Sequence, residues 1–304
     1  MSVSDLTSMY EHYLEENARA RGNYGSFHFT PRPLTRAIIE VMRPKPGELI
    51  CDPACGTGVF LAACYDRIFS NFQLDKEQLY HLRNEALTGW EPEQAARKRA
   101  MTNLYIRGVV LRQDMLIKLG SAFDYSSYDS KHDMLITNVV THPSIMQEAK
   151  PTDSWTNLSN LQLNYLCRTR TLLKENGRAA VVVPDHVLFD GGRSGGEIVR
   201  HQLLETLDFH TLLRLPLGIL PGTGAKANVL FFDKPAFGSR TKNLWVFDMR
   251  TMPNSHLSFE DFVSCYRSED RKERKETRNF IPYAFEDLVA RVDVNLDIGI
   301  NQAR

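Results

Sequence analysis

The chain has 304 residues, 42% of them hydrophobic, with 37 Lys and Arg set against 37 Asp and Glu. That length and apolar content allow a sizeable core and exclude a disordered chain, while zero net charge excludes a protein that holds nucleic acid by bulk positive charge alone. Neither a long apolar run nor a basic leader before an apolar stretch occurs, and five cysteines without a CxxC pair suggest neither a disulfide framework nor a zinc site, so a cytoplasmic location is expected.

In chain order, the first 20 residues predict a polar helix, broken by the Gly and Pro of RGNYGSFHFTPRP. PLTRAIIEVMRP predicts a second helix with Leu34, Ile38, Val41 and Met42 on one face, stopped by Pro44, Pro46 and Gly47. ELICDP reads as a short apolar strand running into the turn ACGTG, and VFLAACYDRIF continues as a helix. EALTGWE follows as strand, PEQAARKRAMTNLYI as helix, and both GVVLRQD and HDMLITN as strands. NLSNLQLNYLCRTRTLLKENG is expected to be one helix, with Leu158, Leu161, Tyr165, Leu166, Leu172 and Leu173 as its stripe and Asn176-Gly177 as its stop.

RAAVVVP is then a buried strand, FDGGRSGG a Gly-rich loop and EIVRHQLLETL a helix. FHTLLRLP, NVLFFDK and NLWVFDM are expected to close the sheet on one edge. The mixed-charge run from Arg271 to Arg278 reads as a solvated face, and YAFEDLVARV as a short helix. Alternating strands and helices predict an α/β, doubly wound, Rossmann-like fold. The expected division is a helical prefix over 1–23, a main domain over 24–250 and a peripheral segment over 251–304.

The strongest local signal is Asp52-Pro53-Ala54-Cys55-Gly56-Thr57-Gly58 at the end of the first strand. Gly56 and Gly58 let the backbone approach a ligand, and the N–H groups opening the next helix favour a carboxylate-bearing one. A lone GxG would fit any tight strand–helix turn, but the longer motif is more specific. The Gly-Lys-Ser/Thr ending of a phosphate loop and the third glycine of a dinucleotide fingerprint are both absent.

DPACGTGVF resembles the S-adenosylmethionine loop of amino-methylating DNA methyltransferases. Gly25-x-Phe27-x-Phe29-Thr30-Pro31-Arg32-Pro33 looks like the YFTPR element of one such family, the modification subunits of type I restriction–modification systems, which are DNA adenine-N6 methyltransferases. RAAVVVPDHVLFDGG, LLRLPLGILPGTGAKANVLFF and VNLDI are similar to its later segments, so the resemblance spans residues 24 to 298. It implies a methyltransferase fold with S-adenosylmethionine as cofactor. It also implies that Phe29, Thr30 and Pro31 close over the methionine end and that Asp52, Pro53, Ala54, Gly56 and Gly58 form the cofactor loop.

Glu91, in Gly89-Trp90-Glu91-Pro92, occupies the strand-end position from which an acid accepts ribose hydroxyls; a first-turn helix role is compatible. The resemblance places Asp114, read as the end of the third strand, on the adenine amine of the cofactor; a turn-capping Asp is the plainer alternative. Family members carry Asn-Pro-Pro-Phe or Asn-Pro-Pro-Tyr after the fourth strand. There the Asn oxygen and a Pro carbonyl accept the hydrogens of a flipped adenine amine, and the aromatic ring stacks on the base. This chain reads Asn138-Val139-Val140-Thr141-His142-Pro143. Asn138 and the Val139 carbonyl are the expected acceptors, whereas the rigid turn and aromatic platform are replaced, and His142 reads as an exposed loop residue.

Three functions remain open on the sequence: an adenine-N6 DNA methyltransferase, a catalytically inactive cofactor-binding relative acting through DNA or subunit contacts, and a methyltransferase for a non-DNA amine. The resemblance implies DNA as partner, with a sequence-specificity subunit; oligomerisation stays open. Members usually carry helical domains before and after the matched region. With about 24 residues ahead of Gly25, those domains are expected to be missing here and target recognition to be borrowed. Lys226 and Arg214 fall in segments that face DNA or partners in the family, and Asp185 and His186 read as strand-end residues.

Overall fold

A computed structural model describes residues 3–20, 30–110, 116–124, 126–140, 160–191, 194–220, 226–236, 240–252, 259–266 and 271–299. The elements are α1 (Val3–Ala20), α2 (Arg32–Met42), β1 (Ile50–Asp52), α3 (Val59–Asn71), α4 (Lys76–Asn84), β2 (Leu87–Glu91), α5 (Gln94–Ile106) and β3 (Ile117–Leu119). They continue with β4 (His132–Asn138), α6 (Leu161–Leu172), β5 (Leu173–Pro184), α7 (Gly196–Thr206), β6 (Asp208–Arg214) and β7 (Ala227–Asp233). The chain closes with β8 (Asn243–Asp248), α8 (Phe259–Tyr266), β9 (Phe280–Ala284) and α9 (Phe285–Val289). None of the described helices is long and apolar enough to cross a membrane.

All nine strands among the described residues share one sheet in the order β3-β2-β1-β4-β5-β7-β6-β8-β9. From β3 to β5 they run parallel, and β7 is antiparallel to both β5 and β6. The direction of winding reverses between β1 and β4, which opens a crevice at the carboxyl ends of those strands. Alternate residues of one strand feed two separate cores, because successive side chains point to opposite faces. Met134 and Ile136 join the core under α2, α3 and α8, whereas Leu135 joins the core under α6 and α7. The expected stripe Leu34, Ile38, Val41 and Met42 is buried along α2.

Several expectations are corrected. The helix read to Gly177 ends at Leu172, and Leu173–Gly177 belong to β5. Lys234 Nζ donates to the carbonyls of Arg170 (3.2 Å) and Leu173 (2.6 Å) at the helix end. The Asn-Gly pair does bend the chain, with Asn176 at φ 61°, but as an irregularity that shifts β5 on β4 from His132↔Leu173 to Met134↔Arg178. A tertiary contact from Lys234, just after β7, meets the end of this helix ahead of its own stop signal.

Of GVVLRQD, residues 108–110 close α5 and 111–114 lie outside the described residues; the described third strand is Ile117–Leu119. Gly108 takes φ 84°, and Val109 N donates to Leu104 O at 3.2 Å. Helix α4 was not anticipated, although its capping box was legible: Asp75 Oδ1 accepts from Gln78 N (2.8 Å), and Gln78 Oε1 accepts from Asp75 N (3.2 Å).

The run from Arg271 to Arg278 is not simply a solvated face. Arg274 is buried and donates to the carbonyls of Tyr266 (2.8 Å) and His210 (3.1 Å), while Arg271 pairs with Asp208 and Asp233. Residues beyond 250 supply β9, which pairs with β8, and Leu296 and Ile298 are fully buried. Buried Arg200 fastens this segment to the loop after β5. It donates to the carbonyls of Val294 (2.9 Å), Asp293 (2.8 Å), Val187 (3.0 Å) and Asp190 (2.9 Å). Those bonds hold Asp293 and Val294 at φ 54° and 46°, a region costly for a β-branched residue.

Candidate active site

The loop after β1 folds back across the neighbouring strand. Asp52 Oδ1 accepts from Ala54 N (3.1 Å), Cys55 N donates to Trp90 O (3.0 Å), and Gly58 N donates to Cys55 O (2.7 Å). Pro53 is buried at the strand end. Gly58 is the N-cap of α3, and no side chain caps that helix. Its φ of 73° and the approach of Ala100, whose Cβ would stand 3.1 Å from an added Cβ, both require glycine. Gly56, at φ 55°, has no atom within 4 Å of a notional Cβ and leaves open space above the loop. Gly58→Ala is therefore expected to cost roughly 2 kcal/mol and Gly56→Ala only about 1 kcal/mol. Denaturant unfolding checks this order, and an equal or larger loss in Gly56→Ala would contradict it.

Glu91 reaches the same loop from β2. Its Oε2 accepts from Gly56 N (3.0 Å) and its Oε1 from Glu93 N (2.8 Å). Burial pushes the carboxyl up to about 7, against the pull of those two N–H groups. Asp52, almost fully buried, is likewise lifted to about 7 by desolvation. The Thr137 hydroxyl and Ala54 N–H favour its anion, and the charge of Glu91 opposes it. Among the described residues neither carboxylate has a cationic partner. Each oxygen that accepts a backbone N–H keeps a further lone pair for a ligand.

Asn138 ends β4 on the other side of the switch point. Its Nδ2 donates to Thr30 Oγ1 (3.1 Å), and its Oδ1 accepts from Val140 N (3.0 Å). Thr30 is buried, and Pro31, beside it, is the N-cap of α2. The structure thus joins the Thr-Pro-Arg element to the motif after β4 across 108 positions of sequence. Val139 is fully buried, and its N–H donates to Val182 O at 2.9 Å.

Phe29 and Asp114 lie outside the described residues, as do Thr141, His142 and Pro143. Sequence reasoning missed Thr137, and it took Tyr165 only for part of an apolar stripe. The charges of Glu91 and Asp52 add to the burial that raises the Tyr165 phenol, which puts this ring near the carboxylates. Arg214 faces no open surface: it is buried, paired with Asp185 (2.8 Å) and Asp297 (2.7 Å). Among the described residues no cluster of His, Cys, Asp or Glu could hold a metal ion.

A family profile described as N-6 DNA methylase matches residues 2–303. The EcoKI methylase subunit of the type I restriction enzyme from Escherichia coli (strain K12) is 34% identical over 271 residues, covering 83% of this chain and 50% of that subunit. The crystal structure of the EcoKI M protein superposes with a TM-score of 0.80 at 26% identity, over 90% of this chain and 66% of that one. A Listeria monocytogenes protein assigned to the class I S-adenosylmethionine-dependent methyltransferases without an established activity shares the fold alone, with a TM-score of 0.63 at 14% identity, over 88% of this chain and 80% of that one. The chain spans about half the length of the curated relatives it matches.

Proposed function

The chain belongs to the N-6 DNA methylase family, and from that premise we propose that it binds S-adenosylmethionine at the ends of β1 and β2 and methylates the N6 amine of adenine in DNA. It would act as a modification subunit alongside a sequence-specificity subunit. One observation carries this reading. Two buried carboxylates that meet no cation among the described residues, Asp52 and Glu91, flank a glycine loop at the switch point, and Asn138 at the end of β4 donates to Thr30.

That arrangement suits the cofactor. Its ribose hydroxyls can donate to Glu91, its positive charges offset the desolvated anions, and Gly56 presents no side chain toward it. When bound, S-adenosylmethionine would supply an electrophilic methyl group on its sulfonium for the amine nitrogen. Asn138 Oδ1 and the Val139 carbonyl would accept the two amine hydrogens, which draws the nitrogen lone pair out of the ring and orients it. Thr30 would hold the Asn138 carboxamide in place through Nδ2.

A second reading, a cofactor-binding relative without transfer, is favoured by one contact: Asn138 Oδ1 already accepts a backbone N–H. Calorimetry with S-adenosylmethionine tests what the two readings share, and absence of binding would sink both. Labelled-methyl transfer to unmethylated DNA, with and without a specificity subunit, separates them. Transfer supports the enzyme; binding without transfer supports the second reading.

A further inference from the structure

The residues after Asn138 differ from the proline pair of the resembling family in one chemical respect: proline has no backbone N–H, and valine has one. Both of these N–H groups are in use. Val139 N donates to Val182 O at 2.9 Å, which carries the β4–β5 ladder past Asn138. Val140 N donates to Asn138 Oδ1 at 3.0 Å. With Nδ2 donating to Thr30 Oγ1 at 3.1 Å, the Asn138 carboxamide is pinned on both sides, and its oxygen faces the chain's own backbone.

We propose that Val140 sets the acceptor capacity of this site, its N–H holding the Asn138 oxygen in a resting turn that an incoming amine must displace or share. The inference rests on the reading of Asn138 as the amine acceptor. The physical asymmetry is clear. Val140 is buried at 4% exposure, so a carboxamide that swings toward a substrate leaves a desolvated N–H without its acceptor. An unsatisfied buried donor costs far more than the net worth of one hydrogen bond. A proline at the same position would leave nothing behind. Val140 is thus a positioning residue that acts through Asn138, and its effect falls on turnover rather than on cofactor binding.

The test compares Val140→Pro with the parent chain in labelled-methyl transfer to DNA, with the specificity subunit present and S-adenosylmethionine affinity measured separately. Val140→Pro is expected to raise kcat about ten-fold, with cofactor affinity unchanged. The gain should vanish when Asn138→Ala is added. An unchanged or lower kcat in folded, cofactor-bound Val140→Pro would overturn the proposal, as would a gain that survives Asn138→Ala, or no transfer by either chain with cofactor bound.

Should the proline variant not fold, amide hydrogen exchange on the parent chain decides. The Val140 N–H is expected to be protected and to lose about ten-fold protection in Asn138→Ala, while the Val139 N–H stays protected. Equal exchange at Val140 in both chains would overturn the inference. Because that readout needs no cofactor, failure of S-adenosylmethionine binding would count against the proposed function and leave this result separately legible.

Discussion

The Asp52→Asn variant is expected to be more stable than the parent chain above pH 7, yet to bind S-adenosylmethionine about 100-fold more weakly or worse. Burial lifts Asp52 to about 7 from an ordinary 3.8, and Glu91 to about 7 from 4.5. Between those limits the folded chain holds protons that the unfolded chain has lost, so stability falls as pH rises through this window. The loss is complete above pH 7 and is on the order of 4 kcal/mol for the more deeply buried Asp52. Asparagine keeps the shape and the bond from Ala54 N while removing the charge.

Urea unfolding at pH 5 and pH 8 reads the difference: the parent should lose stability between them, and Asp52→Asn should lose less. Equal slopes would refute the argument. Cofactor affinity should show the opposite trend, rising from pH 6 to pH 8, because the carboxylates must ionise to meet a cationic ligand.

Arg214→Met is expected to destabilise the chain by about 3 kcal/mol, with cooperative unfolding retained. The guanidinium is fully buried and donates to Asp185 Oδ1 (2.8 Å), Asp297 Oδ1 (2.7 Å) and the Ile298 carbonyl (2.8 Å). Asn228 Nδ2 also donates to Asp185 (3.0 Å), so four chain segments meet in one cluster around Arg214 and Asp185. The cost sits at the lower end for a broken buried pair because Asp297 is 35% exposed and water can take over part of its charge. Converting Asp185 and Asp297 to Asn in the same chain should recover a good part of the loss. If Arg214→Met alone unfolds at the parent's midpoint, the cluster contributes nothing to stability.

Much of the architecture was legible because local rules and tertiary needs agreed. The apolar stripe of α2, the run HDMLITN and the turn after ICD each follow from periodicity or backbone geometry, and each occurs where expected. Errors fell where a distant segment overrode a local signal. Lys234, just after β7, meets the end of α6 ahead of the Asn-Gly stop. Asp208 and Asp233 draw Arg271 out of what reads as a solvated run, and Arg274 finds carbonyls inside. Charged residues look exposed in sequence because burial without a partner is prohibitive, and the partner is invisible until the fold is known.

The sequence by itself determined the α/β class, the glycine turn after β1 and the acids at the ends of β1 and β2, since these rest on spacing, φ and residue chemistry within a few positions. Only the tertiary structure decided that Thr30 meets Asn138, that the segment after residue 250 completes the sheet, and that the Asn138 oxygen is held by Val140. Hydrogen bonds act over about 3 Å whatever the separation in sequence. The partners of a buried polar atom are therefore fixed by which strand ends the fold places side by side.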